Sequence, residues 1–284
     1  MVADLPQEII DKIIDEIALD PSSETRHITR DLKSFSLISS KWHHRSSAHL
    51  FQALEITSDN FPIWCGNVRP GRHGPSPFVT YLRYKPSWPE AERCTGPSEA
   101  LTSNPSHISA FTNLRTLHFV DISLQHIEYL TCFGKLVATV RELWLEECQM
   151  DTSQFVSFVR PFASLEHLRL MRPHCPNESK LRHWDTARPP HLNGTLEYHQ
   201  PDIAASKHLA SFMQEFSLLP ASFHTIVFRA RLETPTEASR LLAASHRTLT
   251  KLTFGHNSEV HFRNFKPNTP SLNYRSQPSP RVST

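Results

Sequence analysis

Five times along this chain two apolar residues stand three apart and a third follows two further on. The copies are Leu114-Arg-Thr-Leu117-His-Phe119, Val140-Arg-Glu-Leu143-Trp-Leu145, Leu165-Glu-His-Leu168-Arg-Leu170, Phe223-His-Thr-Ile226-Val-Phe228 and Leu249-Thr-Lys-Leu252-Thr-Phe254. They begin at positions 114, 140 and 165, steps of 26 and 25 residues, and at 223 and 249, again a step of 26. A short alternating run suits a strand buried on one face. Repetition at a fixed period suits stacking, because one such unit cannot bury its apolar face alone. The chain is therefore expected to be a row of strand-bearing units.

Weaker copies stand at Phe51-Gln-Ala-Leu54-Glu-Ile56, Val79-Thr-Tyr-Leu82-Arg-Tyr84 and Gly194-Thr-Leu196-Glu-Tyr198. Between strands the pattern turns helical or irregular, over Ser123 to Leu136, Thr152 to Phe162 and Ala204 to Leu219, while Pro86 to Pro105 is a proline-rich insertion. The period falls within the roughly 20–29 residues of leucine-rich repeats, which favour Asn or Cys three residues beyond the last apolar position. Cys148 and Asn257 stand there, as buried structural groups. The expected class is α/β (repeat), an irregular leucine-rich-repeat solenoid. A doubly wound α/β domain would alternate strand and helix too, but it expects glycine-rich strand-to-helix turns. This chain has 7 Gly against 22 Pro.

If the apolar positions face a core, the residues between them face out. The middle outward row is His118, Trp144, Arg169, Glu197, Val227 and Thr253. Thr116, Glu142, His167, Thr195, Thr225 and Lys251 flank it on one side, and Val120, Glu146, Met171, His199 and Arg229 on the other. An outward Trp beside Arg and Met has the composition of a protein-interface anchor, so His118, Trp144, Arg169 and Glu197 are the target-binding candidates.

Other chemistries are poorly served. No two of the glycines stand two apart, which excludes a dinucleotide fingerprint. Gly66 and Gly71 have phosphate-loop spacing, but Arg72 and His73 follow in place of Lys and Ser or Thr. A net charge of +2 and the mixed signs on the outward rows do not make a nucleic-acid stripe. No apolar run approaches the ~20 residues of a membrane span, and the acidic start lacks a signal-peptide core. Five cysteines without a C-x-x-C pair suit a reducing compartment, cytoplasmic or nuclear. Cys148 follows two glutamates and Cys132 lies among Thr and Phe, so neither is activated as a nucleophile. The histidine groups His43-His44-His49 and His174, Cys175, His183 lack zinc spacing. No cofactor, metal site or catalytic residue is expected.

The first fifty residues have a different grain. Leu5, Ile9, Ile10, Ile13, Ile14 and Ile17 fall on one broad helical face, with Pro6 in a first-turn position. Leu32, Phe35, Leu37, Ile38 and Trp42, trailing into Leu50 and Phe51, imply two more short helices after the polar stretch Leu19 to Arg30. Three helices of this size bury little surface alone and need a partner surface.

Leu5-Pro6-x-Glu8-Ile9-Ile10-x-x-Ile13-Ile14, then Leu32-x-x-Phe35-Ser36-Leu37-Ile38-x-x-x-Trp42, then Leu50-Phe51, resembles the F-box over residues 3 to 52, with a wider connection from Leu19 to Arg30. An F-box joined directly to irregular repeats, with Leu192-Asn-Gly-Thr-Leu196 after paired prolines, resembles the large F-box families of mushroom-forming fungi. The resemblance implies an N-terminal three-helix F-box at 1–52 and a solenoid at 53–258 with the insertion near 86–105, while composition, dominated after Phe265 by Pro, Ser, Asn and Arg, gives a disordered Pro/Ser-rich tail at 259–284.

It also implies a non-catalytic receptor. Leu5, Pro6, Ile9, Ile13, Ile38 and Trp42 match positions that form the motif's core or its contact with the Skp adaptor, and through it cullin. The repeats would hold a protein target for ubiquitin transfer. The alternatives are an interaction protein acting outside ubiquitination and an enzyme with an unfamiliar site.

Overall fold

The structure is a computed structural model. It describes residues 5–19, 25–57, 60, 76–86, 111–124, 138–150, 152–159, 161–162, 164–174, 192–200, 221–230, 247–254 and 258–261. Three helices lead: α1 (Gln7–Ala18), α2 (Thr25–Ser36) and α3 (Ser40–Phe51). Then come β1 (Ala53–Thr57), a 3-10 turn at Ser76–Phe78, β2 (Tyr81–Lys85), β3 (Thr116–Val120), β4 (Glu142–Glu146), α4 (Thr152–Val159) and β5 (His167–Met171). The last strands are β6 (Leu192–Gln200), β7 (Ala221–Ala230), β8 (Lys251–Phe254) and β9 (Ser258–His261).

The strands form one sheet in chain order, β1 through β9. Neighbours from β1 to β8 run parallel, and β9 turns back antiparallel on β8. A doubly wound sheet reverses its strand order at a switch point. This sheet never does, so it is a parallel-strand, solenoid-like sheet with few helices among the described residues. All eight copies of the apolar pattern, strong and weak, are strands in it.

The alternation is borne out strand by strand. Leu54 and Ile56, Leu82 and Tyr84, Leu117 and Phe119, Leu143 and Leu145, Leu168 and Leu170, Leu196 and Tyr198, and Ile226 and Phe228 are buried in one continuous core. Phe155, Phe158 and Val159 of α4, with Phe162 after it, close that core from behind. Phe158 meets Phe119 edge-on at 5.4 Å and Phe162 at 5.9 Å. Of the intervals expected to be helical or irregular, Thr152 to Phe162 contains α4, Ser123 to Leu136 is described only as far as Leu124, and Ala204 to Leu219 lies outside the described residues.

The units are joined by a recurring hydrogen-bond pattern. The Gln52 carbonyl accepts from the N–H groups of Thr80 and Tyr81, that of Thr80 from Arg115 and Thr116, that of Arg115 from Arg141 and Glu142, and that of Arg141 from Glu166 and His167. After the strands, Asp121, Glu147 and Arg172 take left-handed backbone angles, with φ of 55°, 55° and 49°. Their N–H groups still donate to the next strand, at the carbonyls of Glu146, Met171 and His199. Cys148 sits just beyond the second of these bends, its Sγ 3.4 Å from the Glu146 carbonyl and 3.6 Å from that of Phe119. Burial pushes its thiol up to about 12, as suits a structural group. Asn257 lies outside the described residues.

One glycine is required. Gly194 has φ +89°, and a Cβ there would meet the Glu166 carbonyl oxygen at 2.0 Å. The β6–β7 register slips at this point, passing over His224.

The helices form a separate small cluster in which Ile10, Ile14 and Leu32 are buried, with Leu5, Ala18, Ile28, Phe35, Trp42 and Leu50 packed against it. α2 begins at Thr25, inside the polar stretch read above as connection, because Ile28, Leu32 and Phe35 continue the helical spacing. Pro6 occupies the N-cap position of α1, its carbonyl accepting from Ile9 and Ile10. Asp15 clamps α1 to α3, accepting from Arg45 at 2.7 and 2.6 Å and from His49 at 2.7 Å. The chain runs from α3 almost directly into β1, and His44 packs edge-on against Phe78 at 5.1 Å.

β9 includes residues 259–261, which composition assigned to the tail; antiparallel pairing with β8 needs only backbone groups and the one β-branched Val260 opposite Leu252. The rest of the tail and the insertion from 87 to 105 lie outside the described residues.

Candidate functional site

The register aligns the outward row. Glu55, Arg83, His118, Trp144, Arg169, Glu197, Val227 and Thr253 stand opposite one another across β1 to β8. The expected row is thus continuous, but two of its members are buried and Trp144, Arg169, Val227 and Thr253 are only partly exposed. His118 and Glu197 are 4% and 5% exposed, and Val120 in the flanking row is 3% exposed. Long side chains on adjacent strands, about 4.8 Å apart, fold over the shorter ones and pave the face.

Two networks make this paving. In the first, the Tyr81 hydroxyl donates to His118 Nδ1, and His118 Nε2 donates to Glu146 at 3.1 Å. Burial holds the His118 imidazole below its ordinary value, against the pull of Glu146, so the ring is neutral. The two partners then fix the tautomer with the proton on Nε2. Burial likewise pushes the Tyr81 hydroxyl up. Arg172 donates to the other Glu146 oxygen at 2.8 Å, and Arg83 approaches Glu146 at 3.8 Å while pairing with Glu55 at 2.9 Å.

The second network surrounds Glu197. Arg169 Nε donates to it at 2.6 Å and His199 Nε2 at 2.7 Å; Arg229 stands at 3.4 Å and His167 at 3.6 Å. His167 and His199, then Arg169, outweigh desolvation and hold the Glu197 carboxyl far below the usual range.

Trp144 joins the networks. Arg169 lies over its ring at 4.5 Å, and the rings of Tyr81 and His118 stand 5.6 and 5.4 Å away. It stands in the outward row, as expected from sequence, and is half-buried there, a floor for the face. Its indole Nε1 is buried without a hydrogen-bond partner, as is Arg83 Nε. Tyr81 and Arg83 were not among the sequence candidates. Extending the same alternation to the weak copy Val79 to Tyr84 would have found them.

The six helical candidates divide by exposure. Leu5 and Trp42 pack on the small core, Trp42 against Phe35 at 5.3 Å, and Ile13 is half-buried. Pro6 is exposed, as are Ile9 at 45% and Ile38 at 57%. Leu37, beside Ile38, is 85% exposed. Gln7 Nε2 donates to the Lys41 carbonyl at 3.1 Å, which sets the first turn of α1 beside the first turn of α3 and the Leu37–Ile38 bend before it.

Of the histidine groups, His49 serves Asp15, His43 Nδ1 meets the Ser36 carbonyl at 3.1 Å, and Cys175 and His183 lie outside the described residues. No helix among the described residues is long and apolar enough to cross a membrane. No family model matches the chain, and no curated protein matches it.

Proposed function

We propose that the chain is a non-catalytic substrate receptor of a cullin ubiquitin ligase, in the cytoplasm or nucleus. Residues 1–52 act as an F-box that docks on the Skp adaptor, and the outer face of a leucine-rich-repeat-like sheet holds a protein target. The chain's contribution is proximity, which raises the target's effective concentration beside the conjugating enzyme carried by other subunits. The observation that carries this reading is the exposure of Ile9, Leu37 and Ile38 at one end of a three-helix unit whose sequence resembles the F-box. Apolar side chains left in water in a unit with so small a core suit an obligate protein contact.

The test is capture of purified Skp adaptor by the full chain and by Leu37→Ser/Ile38→Ser. Both side chains are exposed, so the double variant should fold while losing capture. Changing Leu5 would be ambiguous, because it packs on the core. Absence of capture by the unaltered chain, or capture indifferent to the double change, would favour an interaction protein working outside ubiquitination.

A further inference from the structure

We propose that the outer sheet face takes an acidic segment of its partner, an extended stretch bearing Asp or Glu side chains. The proposal rests on the reading of this face as the target surface and names the chemistry of that target.

Donors and acceptors on the face are out of balance. Among the described residues, the buried side-chain polar atoms without a hydrogen-bond partner are Ser46 Oγ, Arg83 Nε, Trp144 Nε1, His167 Nε2 and Thr253 Oγ1. All but Ser46 belong to the outward rows of the sheet. Arg83 Nε and Trp144 Nε1 are donors only. No carboxylate oxygen is among these atoms, because each buried carboxylate is already surrounded. Glu146 holds His118 and Arg172, with Arg83 near, and Glu197 holds Arg169 and His199, with Arg229 and His167 near. A basic segment would find these acceptors occupied.

An oxyanion would find donors. Arg172 and Arg229 expose 48% and 45% of their side chains. A guanidinium carries five N–H groups. Arg172 spends one nitrogen on Glu146 and one on Glu147, and Arg229 reaches Glu197 only at 3.4 Å. Glu55, the exposed acid of the middle row, is neutralised by Arg83 at 2.9 Å. Arg229 stands in register with His199 and Met171, one residue from Arg172, so the half-exposed guanidinium of Arg229 and the N–H groups that Arg172 does not spend on Glu146 and Glu147 share one margin of the face. Carboxylates of a segment lying along that margin would meet them.

Fluorescence anisotropy of the full chain with a labelled peptide of alternating Glu and Ala, against the matched Gln–Ala and Lys–Ala peptides, tests this. The Glu peptide should bind about tenfold more tightly than the Gln peptide, the effect of gaining charge-assisted hydrogen bonds. Arg172→Gln/Arg229→Gln should remove that margin, with an unchanged melting curve showing that the sheet persists. Equal binding of the Glu and Gln peptides, preference for the Lys peptide, or indifference to the arginine changes would overturn the proposal. Adaptor capture separates the two readings: peptide binding without capture defeats only the docking reading, and capture without peptide binding defeats only this one.

Discussion

The sheet and the helices leave opposite kinds of residue in the wrong place. Every large hydrophobic side chain exposed among the described residues, Ile9, Leu19, Leu37 and Ile38, belongs to the helical unit. The buried His118 and Glu197 belong to the sheet. A solenoid-like stack closes its apolar face by adding neighbours, so its core is continuous and its outer face can be polar and tightly networked. The three helices of 12 residues each stand outside that stack, and among the described residues, beyond Ile10, Ile14 and Leu32, their apolar residues are only partly covered. The two regions therefore invite partners of different kinds, one apolar and one hydrogen-bonding.

Core truncation should break the comparison most visibly. Phe119 is fully buried, between Tyr84 and Phe158. Phe119→Ala should cost about 3–5 kcal/mol in urea unfolding. Ile14→Ala, at the centre of the helical cluster, should cost about 2–5 kcal/mol, but the loss should fall on the helices. Circular dichroism should show helix melting early while the sheet keeps its midpoint. A single transition lowered throughout would instead mean that the joint at Gln52, where α3 runs into β1, makes one cooperative unit.

Acid should act on both regions by the same route and to different extents. Glu197 has a folded-state pKa well below its unfolded value of about 4.3. Its contribution is therefore present above that value and is lost as pH falls beneath it. Glu197→Gln should destabilise the sheet by about 1.5–3 kcal/mol at neutral pH, with the gap from the unaltered protein narrowing below pH ~4. Asp15, lowered to about 2 chiefly by Arg45 and then His49, should lose its clamp as pH falls from about 4 towards 2. Arg45 and Asp15 are 41% and 31% exposed, so Arg45→Gln should cost only about 0.2–1 kcal/mol. A larger loss on the helical side than on the sheet side would reverse the ranking of the two networks.

Much of the sheet was legible because its signal is local. Alternation in one strand fixes which residues face the core, and the 25- and 26-residue steps fix which residues stand side by side, so the row from His118 to Thr253 could be written from sequence alone. Exposure could not. Whether His118 is open or covered depends on the lengths of Tyr81, Trp144 and Glu146 around it, all three on the neighbouring strands. The Gly194 contact with Glu166 was hidden for the same reason, since it lies between repeats. In the helices, spacing placed Leu32, Phe35, Leu37 and Ile38 together, but only the end of α2 at Ser36 turns the last two away from the core.

That turn sets the smallest expected change. Leu37 and Ile38 together present two large side chains to water, and replacing both by Ser removes apolar surface that folding does not bury. The unfolding free energy should stay within about 0.5 kcal/mol, as for surface positions generally, and solubility should rise. A loss of about 2 kcal/mol or more would place these side chains in the packing of the helical unit. Adaptor capture by the same variant gives the other half of the measurement. Unchanged stability with lost capture is the signature of a surface kept apolar for a partner, whereas stability and capture falling together would be that of a core residue. The contrast between the two regions would then narrow, because the helices would bury what they now expose.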